Sequence, residues 1–317
     1  MPPWFIFKKT TEARRLKLNR NMKALGAKNN FLGLDKKNSD YKNSQIVIQS
    51  IPLEKTVTYG KGTKYGPKEI INASHHVEYF DEELNREVCF DKGICTLEPL
   101  NFQKLTIEKS LQKIYKQTSK LLSENKFVAS IGGEHSLSSA VIKAHHENYN
   151  DLTVLQLDAH SDLRNSYNKS KNNHASVMAR VAEFNTNIVQ VGIRAQSKEE
   201  AESGKQLGIK TFYSREIKMG MYGEIWQELI DKNLGDYVYI TFDLDVFDPS
   251  LLPATGIPEP GGLMWDETMD LLKIIGMDRI IVGFDIVELA PSKSHPSSNY
   301  TAAKLLYKLI NFAFTNK

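Results

Sequence analysis

Three segments of the chain place aspartate and histidine directly after short apolar runs. Gly132-Gly133-Glu134-His135-Ser136 follows Phe127–Ile131, Asp158-Ala159-His160-Ser161-Asp162 follows Thr153–Leu157, and Asp243-Leu244-Asp245 follows Tyr239–Phe242. In an extended chain, side chains at i, i+2 and i+4 point the same way. The spacing therefore predicts that Asp158, His160 and Asp162 share one face of a strand end, and that Asp243 and Asp245 share another. If a sheet gathers these ends, four carboxylates and two imidazoles converge. Two carboxylates about 5 Å apart repel by roughly 3 kcal/mol at an effective dielectric near 20, so buried like charges either protonate or bind a cation. Two divalent ions balance four aspartates, with Asp158 and Asp243 as natural bridges, and a set of oxygen and imidazole donors without thiolate favours Mn²⁺-like ions over structural zinc. Capping a turn accounts for any one of these aspartates taken alone. It does not account for a D-x-H-x-D and a D-x-D together, both at strand ends.

The elements that must position these groups are legible as an alternation of strands and helices. Apolar runs at Ile46–Ile51, Phe127–Ile131, Thr153–Leu157, Ile188–Ile193, Tyr237–Phe242 and Ile280–Ile286 read as strands. Several lack strict alternation, as expected where both faces are covered. Ile107, Leu111, Ile114, Leu121 and Leu122 share one helical face, as do Leu271, Leu272 and Ile275, and again Leu305, Leu306, Leu309 and Ile310. The order predicts an α/β fold, a single three-layer αβα domain over residues 46–317 with a mainly parallel central sheet. Ligands in such folds gather outside the carboxyl ends of the strands. Residues 1–45, rich in Lys and Asn, read as an N-terminal arm wrapping this domain.

Bulk properties narrow the function classes. The 317 residues carry 41 Lys+Arg against 38 Asp+Glu, a formal net charge of +3, too even to argue for nucleic acid or an anionic membrane as partner. Only Cys89 and Cys95 occur, no disulfide framework, which points to a reducing cytoplasm. Residues 1–20 carry six basic residues against Glu12, but the apolar stretch Trp4 to Phe7 is too short for a secretory signal. No run approaches the ~20 apolar residues of a membrane span. The absence of G-x-x-x-x-G-K-[ST] and of G-x-G-x-x-G argues against nucleotide chemistry.

Taken in order, Gly-Gly-Glu-His-Ser at 132–136, Asp-Ala-His-Ser-Asp at 158–162 and Phe-Asp-Leu-Asp-Val-Phe-Asp-Pro at 242–249 resemble the three signature segments of the ureohydrolase family, which holds arginase, agmatinase and their relatives. Thr63-Lys64-Tyr65-Gly66-Pro67, Gly192-Ile193-Arg194, the loop Pro253 to Gly262 and Asp285-Ile286-Val287-Glu288 extend the likeness to roughly residues 45–312. The resemblance implies one Mn²⁺ held by His135, Asp158, Asp162 and Asp243, and a second held by His160, Asp158, Asp243 and Asp245. It also implies that Glu288 receives the substrate guanidinium and that His174, in Asn-His-Ala-Ser, shuttles protons. A resonance-stabilised guanidinium is attacked poorly by neutral water. A metal-bridging hydroxide is a strong nucleophile near neutral pH, and Asp245 is placed to hydrogen-bond it. The products would be urea and a primary amine, from a homo-oligomer, as a trimer or hexamer.

The substrate expected is a small cationic guanidino compound. Asp-Leu-Arg-x-x-Tyr at 162–167, His-Ala-Ser-Val-Met at 174–178 and Ser197-Lys198-Glu199-Glu200 resemble the agmatinase-like branch, which implies agmatine hydrolysed to putrescine and urea. Asn165-Ser166 departs from that branch, where acidic residues are frequent, and leaves aminopropylagmatine or guanidinobutyrate as alternatives, with arginine behind them. Two further readings, a single-zinc deacetylase-type amide hydrolase and a non-catalytic subunit, leave the full ligand set without a purpose. Among the other histidines, His75, His76, His145 and His146 read as surface or boundary residues, and His295 as a candidate for the pocket rim.

Overall fold

The computed structural model describes residues 22–315. Its strands are β1 (Ile46–Ile51), β2 (Ile94–Thr96), β3 (Phe127–Gly132), β4 (Thr153–Leu157), β5 (Ile188–Ile193), β6 (Lys210–Tyr213), β7 (Tyr237–Asp243) and β8 (Ile280–Val287). The helices are α1 (Lys36–Ser39), α2 (Gly66–Ser74), α3 (Val88–Lys92), α4 (Ile107–Ser123), α5 (Ser138–His146), α6 (Val177–Ala182), α7 (Lys198–Gln206), α8 (Ser214–Lys218), α9 (Trp226–Asp231), α10 (Trp265–Asp278) and α11 (Ser297–Phe312).

All strand pairs are parallel, in the order β2-β1-β3-β8-β7-β4-β5-β6. The six apolar runs of the sequence are the six inner strands. The two strands not anticipated, β2 and β6, are the edges. Both are short, and β6 is partly exposed, so neither leaves a continuous apolar run to read.

Alternation along the strands feeds two cores. Leu155, Leu157, Ile240 and Phe242 pack with α2, α9, α10 and α11. Val154, Tyr239 and Val282 turn to the other face and meet α4, α5 and α6. This is the three-layer arrangement, and helices on both faces are why the central strands are buried throughout. Truncating a core side chain such as Phe284 to alanine should cost about 3–5 kcal/mol.

Register then decides where the strands end. Leu157 pairs with Phe242, which sets Asp158 beside Asp243. Asp243 pairs with Val287 and Ile131 with Ile286. The carboxyl ends of β3, β8, β7 and β4 therefore stand in a row, where the β1–β3 half of the chain meets the β4–β6 half. This is the crevice at which open parallel sheets bind ligands.

Of the arm expected over residues 1–45, residues 1–21 lie outside the described residues. Residues 22–45 are tied to the β2 edge: Leu25 N–H donates to the Thr96 carbonyl and Glu98 N–H to the Lys23 carbonyl, both at 2.8 Å. Phe31 and Leu32 are buried in the main core.

One histidine departs from expectation. His75 and His76 are exposed and His146 is half-buried, but His145 is fully buried. Its ring lies tilted against Tyr239, centroids 4.6 Å apart, and fills the space left by Gly283, where a Cβ would lie 2.3 Å from Nε2. A glycine across the interface, which helix periodicity cannot reveal, is what admits the ring.

Candidate metal centre

The carboxyl end of β3 turns at Gly132-Gly133 into a short 3-10 turn that opens on His135. Gly133 passes so near the preceding loop that a Cβ there would lie 2.0 Å from the Leu53 carbonyl, so no other residue fits. His135 is 1% exposed. Its Nε2 lies 2.9 Å from Thr241 Oγ1, and that hydroxyl donates to Asp285 Oδ1 at 2.8 Å. Asp285 also accepts from Tyr239 at 2.7 Å and Ser138 at 2.9 Å. With its one proton given to Asp285, Thr241 can only accept from Nε2–H, so the Nδ1 lone pair faces the other way. There it meets Asp158 Oδ2 at 3.1 Å, Asp162 Oδ2 at 3.2 Å and Asp243 Oδ2 at 3.4 Å.

The second cluster lies beside the first. His160 Nδ1 is 3.0 Å from Asp245 Oδ2 and 3.7 Å from Asp158 Oδ1. Potential ligand atoms form two trios, His135 with Asp158 and Asp162, and Asp158 with His160 and Asp245, each within 4.8 Å. Asp158 is common to both. Asp243 approaches His135 but belongs to neither trio.

The groups converge, though not by the strand alternation that their spacing predicted. β4 stops at Leu157, Asp162 has φ +53°, and Asp245 sits in the 3-10 turn Leu244–Val246. The carboxylates build these turns themselves. Asp158 Oδ1 accepts His160 N–H at 2.6 Å, Asp243 Oδ1 accepts Asp245 N–H at 2.9 Å, and Asp245 Oδ1 accepts Ala159 N–H at 3.0 Å. Such side-chain-to-backbone closure two residues on is a natural alternative to continuing a strand.

Burial and crowding of like charges displace the titration of these groups from their ordinary values. Burial, aided by the Asp245 and Asp162 charges, pushes Asp158 up to about 7. Burial and the Asp245 and Asp158 charges hold Asp243 well above the carboxylate range. Burial opposes charging of His160, but Asp245 outweighs it and raises the ring to about 10. His135 is likewise raised against burial by Asp158 and Asp162. Yet Nδ1 of His135 makes no hydrogen bond to any of the three carboxylates around it. A buried ring nitrogen without a hydrogen bond, facing three oxygens, is satisfied by a cation in their midst. The donor set therefore fits metal ions.

Further groups surround this cluster in a cavity of ≈ 350 Å³, lined by His174, Glu288, Glu259, Tyr59 and Tyr167 among others. Glu288 follows β8 with φ +66°, a strained position for a non-glycine residue. Its Oε1 accepts His135 N–H at 2.7 Å. Burial raises its carboxyl to about 8, the bond from His135 N–H opposing. His174 is half-buried, at the start of a 3-10 turn ahead of α6. His295 is exposed and does not line the cavity, nor do Asn165 and Ser166.

Several residues gain supporting roles that the sequence does not give them, although Arg194, Glu200 and Asp285 stand in the segments that carry the family resemblance. The Arg194 guanidinium donates to six carbonyls, among them Asp245 at 2.6 Å and Glu259 at 2.7 Å, and so ties the Asp245 turn to the glycine-rich loop. Glu200 completes the capping box of α7 and also accepts from Ser161 and Leu163 N–H, each at 3.2 Å. Asp285 left a readable signal, an acid inside an apolar strand. Thr241 and Thr56 left none.

A family model described as the arginase family matches residues 44–311. An N(1)-aminopropylagmatine ureohydrolase from Synechocystis sp. is 34% identical over 280 residues, covering 86% of this chain and 90% of that protein. An agmatinase from Bacillus cereus is 35% identical over 275 residues, covering 84% and 91%. The agmatine ureohydrolase of Thermoplasma volcanium superposes with a TM-score of 0.80 at 28% identity, covering 95% of this chain and 98% of that one.

Proposed function

The chain belongs to the arginase family and is a ureohydrolase, and from that premise we propose that it is a manganese-dependent agmatinase, hydrolysing agmatine to putrescine and urea. The observation that carries the two-metal reading is the pair of ligand trios sharing Asp158. His135, Asp158, Asp162 and Asp243 would hold one ion, and His160, Asp158, Asp243 and Asp245 the other. When bound, two divalent ions supply the Lewis acidity that makes a hydroxide nucleophile available near neutral pH.

The chain's own groups do the rest. Glu288 pairs with the guanidinium. Its Oε1 is taken by His135 N–H, so Oε2 is the oxygen left for the cation. Cationic neighbours would bring its carboxyl below about 8 and keep it ionised. Asp245 hydrogen-bonds the attacking oxygen or the tetrahedral carbon's substituents. His174 delivers the proton that the leaving amine needs, a task suited to an imidazole near pH 7. Water adds to the guanidinium carbon, the C–N bond to the alkyl amine breaks, and urea and an alkylammonium leave.

A cationic tail fits the cavity better than an acidic one. Arg164 is paired with Glu200 at 3.4 Å. Glu259 lines the cavity, and its charge is felt by the Arg194 guanidinium, which is itself held on backbone carbonyls. It is the carboxylate we assign to a terminal ammonium. The neutral Asn165 and Ser166 do not line the cavity, so they subtract nothing from its charge. The 34% identity to an aminopropylagmatine ureohydrolase keeps that longer amine as the second reading.

Urea release from agmatine, aminopropylagmatine, guanidinobutyrate and arginine, measured with Mn²⁺-loaded protein, tests the proposal. Agmatine should give the highest kcat/KM. Preference for guanidinobutyrate would overturn the assignment of Glu259.

A further inference from the structure

Glu134 precedes the metal-ligand candidate His135, is completely buried, and takes no part in the cluster. A buried carboxylate without a partner would cost several kcal/mol, and Glu134 is far from unpartnered. Oε2 accepts the backbone N–H of Lys55 at 2.7 Å and of Thr56 at 2.6 Å. Oε1 accepts the Ser136 hydroxyl at 2.6 Å and the Thr56 hydroxyl at 3.1 Å. The two backbone bonds explain how the loop after β1 is pinned. They leave the second bond to Thr56 unexplained.

That bond has a consequence on the far side of Thr56. Its Oγ1 also lies 3.3 Å from His174 Nδ1 and 3.2 Å from His174 N–H. A hydroxyl has one proton and two lone pairs. A carboxylate acceptor is favoured about twofold in strength over a neutral ring nitrogen, so the proton goes to Glu134. Oγ1 must then accept both from the His174 backbone and from the ring. The ring can donate only if Nδ1 carries the proton, which leaves the Nε2 lone pair free. Tyr167 stands edge-on to the same ring at 6.0 Å and restricts its swing.

We propose that Glu134 and Thr56 are positioning residues that lock the tautomer and orientation of His174, making Nε2 the atom that exchanges protons in the reaction. The proposal rests on the reading of His174 as the proton shuttle. In the neutral ring the bond to Thr56 leaves Nε2 as the nitrogen with the lone pair. It gains a proton as the nucleophile forms and returns it to the leaving amine, while Nδ1–H stays on Thr56 throughout. The ring passes between neutral and charged forms without turning over.

The test pairs spectroscopy with kinetics. In protein labelled with ¹⁵N-histidine and loaded with Mg²⁺, which is diamagnetic, His174 should show the Nδ1–H tautomer. Thr56→Val keeps the shape and the backbone bond to Glu134 but removes the hydroxyl. It should populate both tautomers and lower kcat on the order of 10²-fold, the usual worth of a placed acid–base group, with KM within about twofold. Thr56→Ser should restore both readouts. An unaltered tautomer in Thr56→Val overturns the relay. An unaltered kcat in His174→Gln overturns the shuttle reading instead, whatever Thr56 does.

Discussion

His135 and His145 stand at the two ends of one short helical stretch, both buried, in surroundings of opposite character. His135 begins the turn that leads into α5 and faces three carboxylates at 3.1–3.4 Å. His145 lies in the last turn of α5 between Tyr239 and the bare backbone of Gly283, with Nδ1 on the Val141 carbonyl at 2.9 Å and no partner for Nε2. Burial penalises the charged ring equally in kind at both. At His145 only the bond to the Val141 carbonyl opposes it, and the ring is driven down to about 4. At His135 the carboxylates win and the ring is held well above the ordinary value. The difference teaches that depth alone does not make a histidine functional. One region is an apolar filling; the other concentrates negative charge that only protons or metal ions relieve.

The largest effect should come from the charged region. Asp245→Asn keeps the turn-closing bonds nearly in shape but removes a charge from the second trio. kcat should fall by about 10³-fold, roughly 4 kcal/mol of lost transition-state stabilisation, with circular dichroism unchanged. Chelation should match that loss, and Mn²⁺ should reverse it in the native protein only. Undiminished turnover in the variant would remove the cluster from the chemistry.

The apolar region should show itself in acid stability. The unfolded chain protonates His145 below about 6.5 and the folded chain only below about 4. Its contribution is thus fully present above about 6.5 and is lost as pH falls to about 4, about 3 kcal/mol in all. Urea unfolding of the native protein and of His145→Leu should diverge by that amount across this window. Parallel pH profiles would mean that the ring is not held neutral.

A smaller effect should separate the two regions at the level of support. Thr241→Val removes the hydroxyl that orients His135 and should weaken metal binding about 10–100-fold, measured by calorimetry, while leaving the acid stability window of His145 untouched. The smallest effect carries the most telling sign. In metal-free protein, Asp243→Asn should raise stability by roughly 1–2 kcal/mol by relieving repulsion between neighbouring carboxylates. Because the Asp243 carboxyl is raised in the folded state, the relief should be greater at pH 8 than at pH 5. The same substitution should diminish the rise in Tm on adding Mn²⁺. A destabilised Asp243→Asn protein would show that the aspartate is structural rather than held ready for a cation.

Much of this was legible in the sequence because it was local. Strands buried on both faces must be apolar runs, so the six inner strands stand out, and the acids and imidazoles that end three of them announce themselves by type. Edge strands β2 and β6 stayed hidden because a short strand with one neighbour needs no such run. His145 was misjudged because its burial depends on Gly283, remote in the chain.

The alternation of strand and helix patterns by itself determined the fold class, and the motifs determined the kinds of atom available to hold metal, since residue type limits donor chemistry wherever the chain goes. Which atoms face one another was decided by tertiary structure alone. Sheet register aligned Asp158 with Asp243, Asx-type turns replaced the expected alternation, and Thr241 and Thr56 acquired their partners across 106 and 118 residues. Hydrogen bonds depend on ångström distances between groups far apart in the chain, and no spacing along a sequence encodes those.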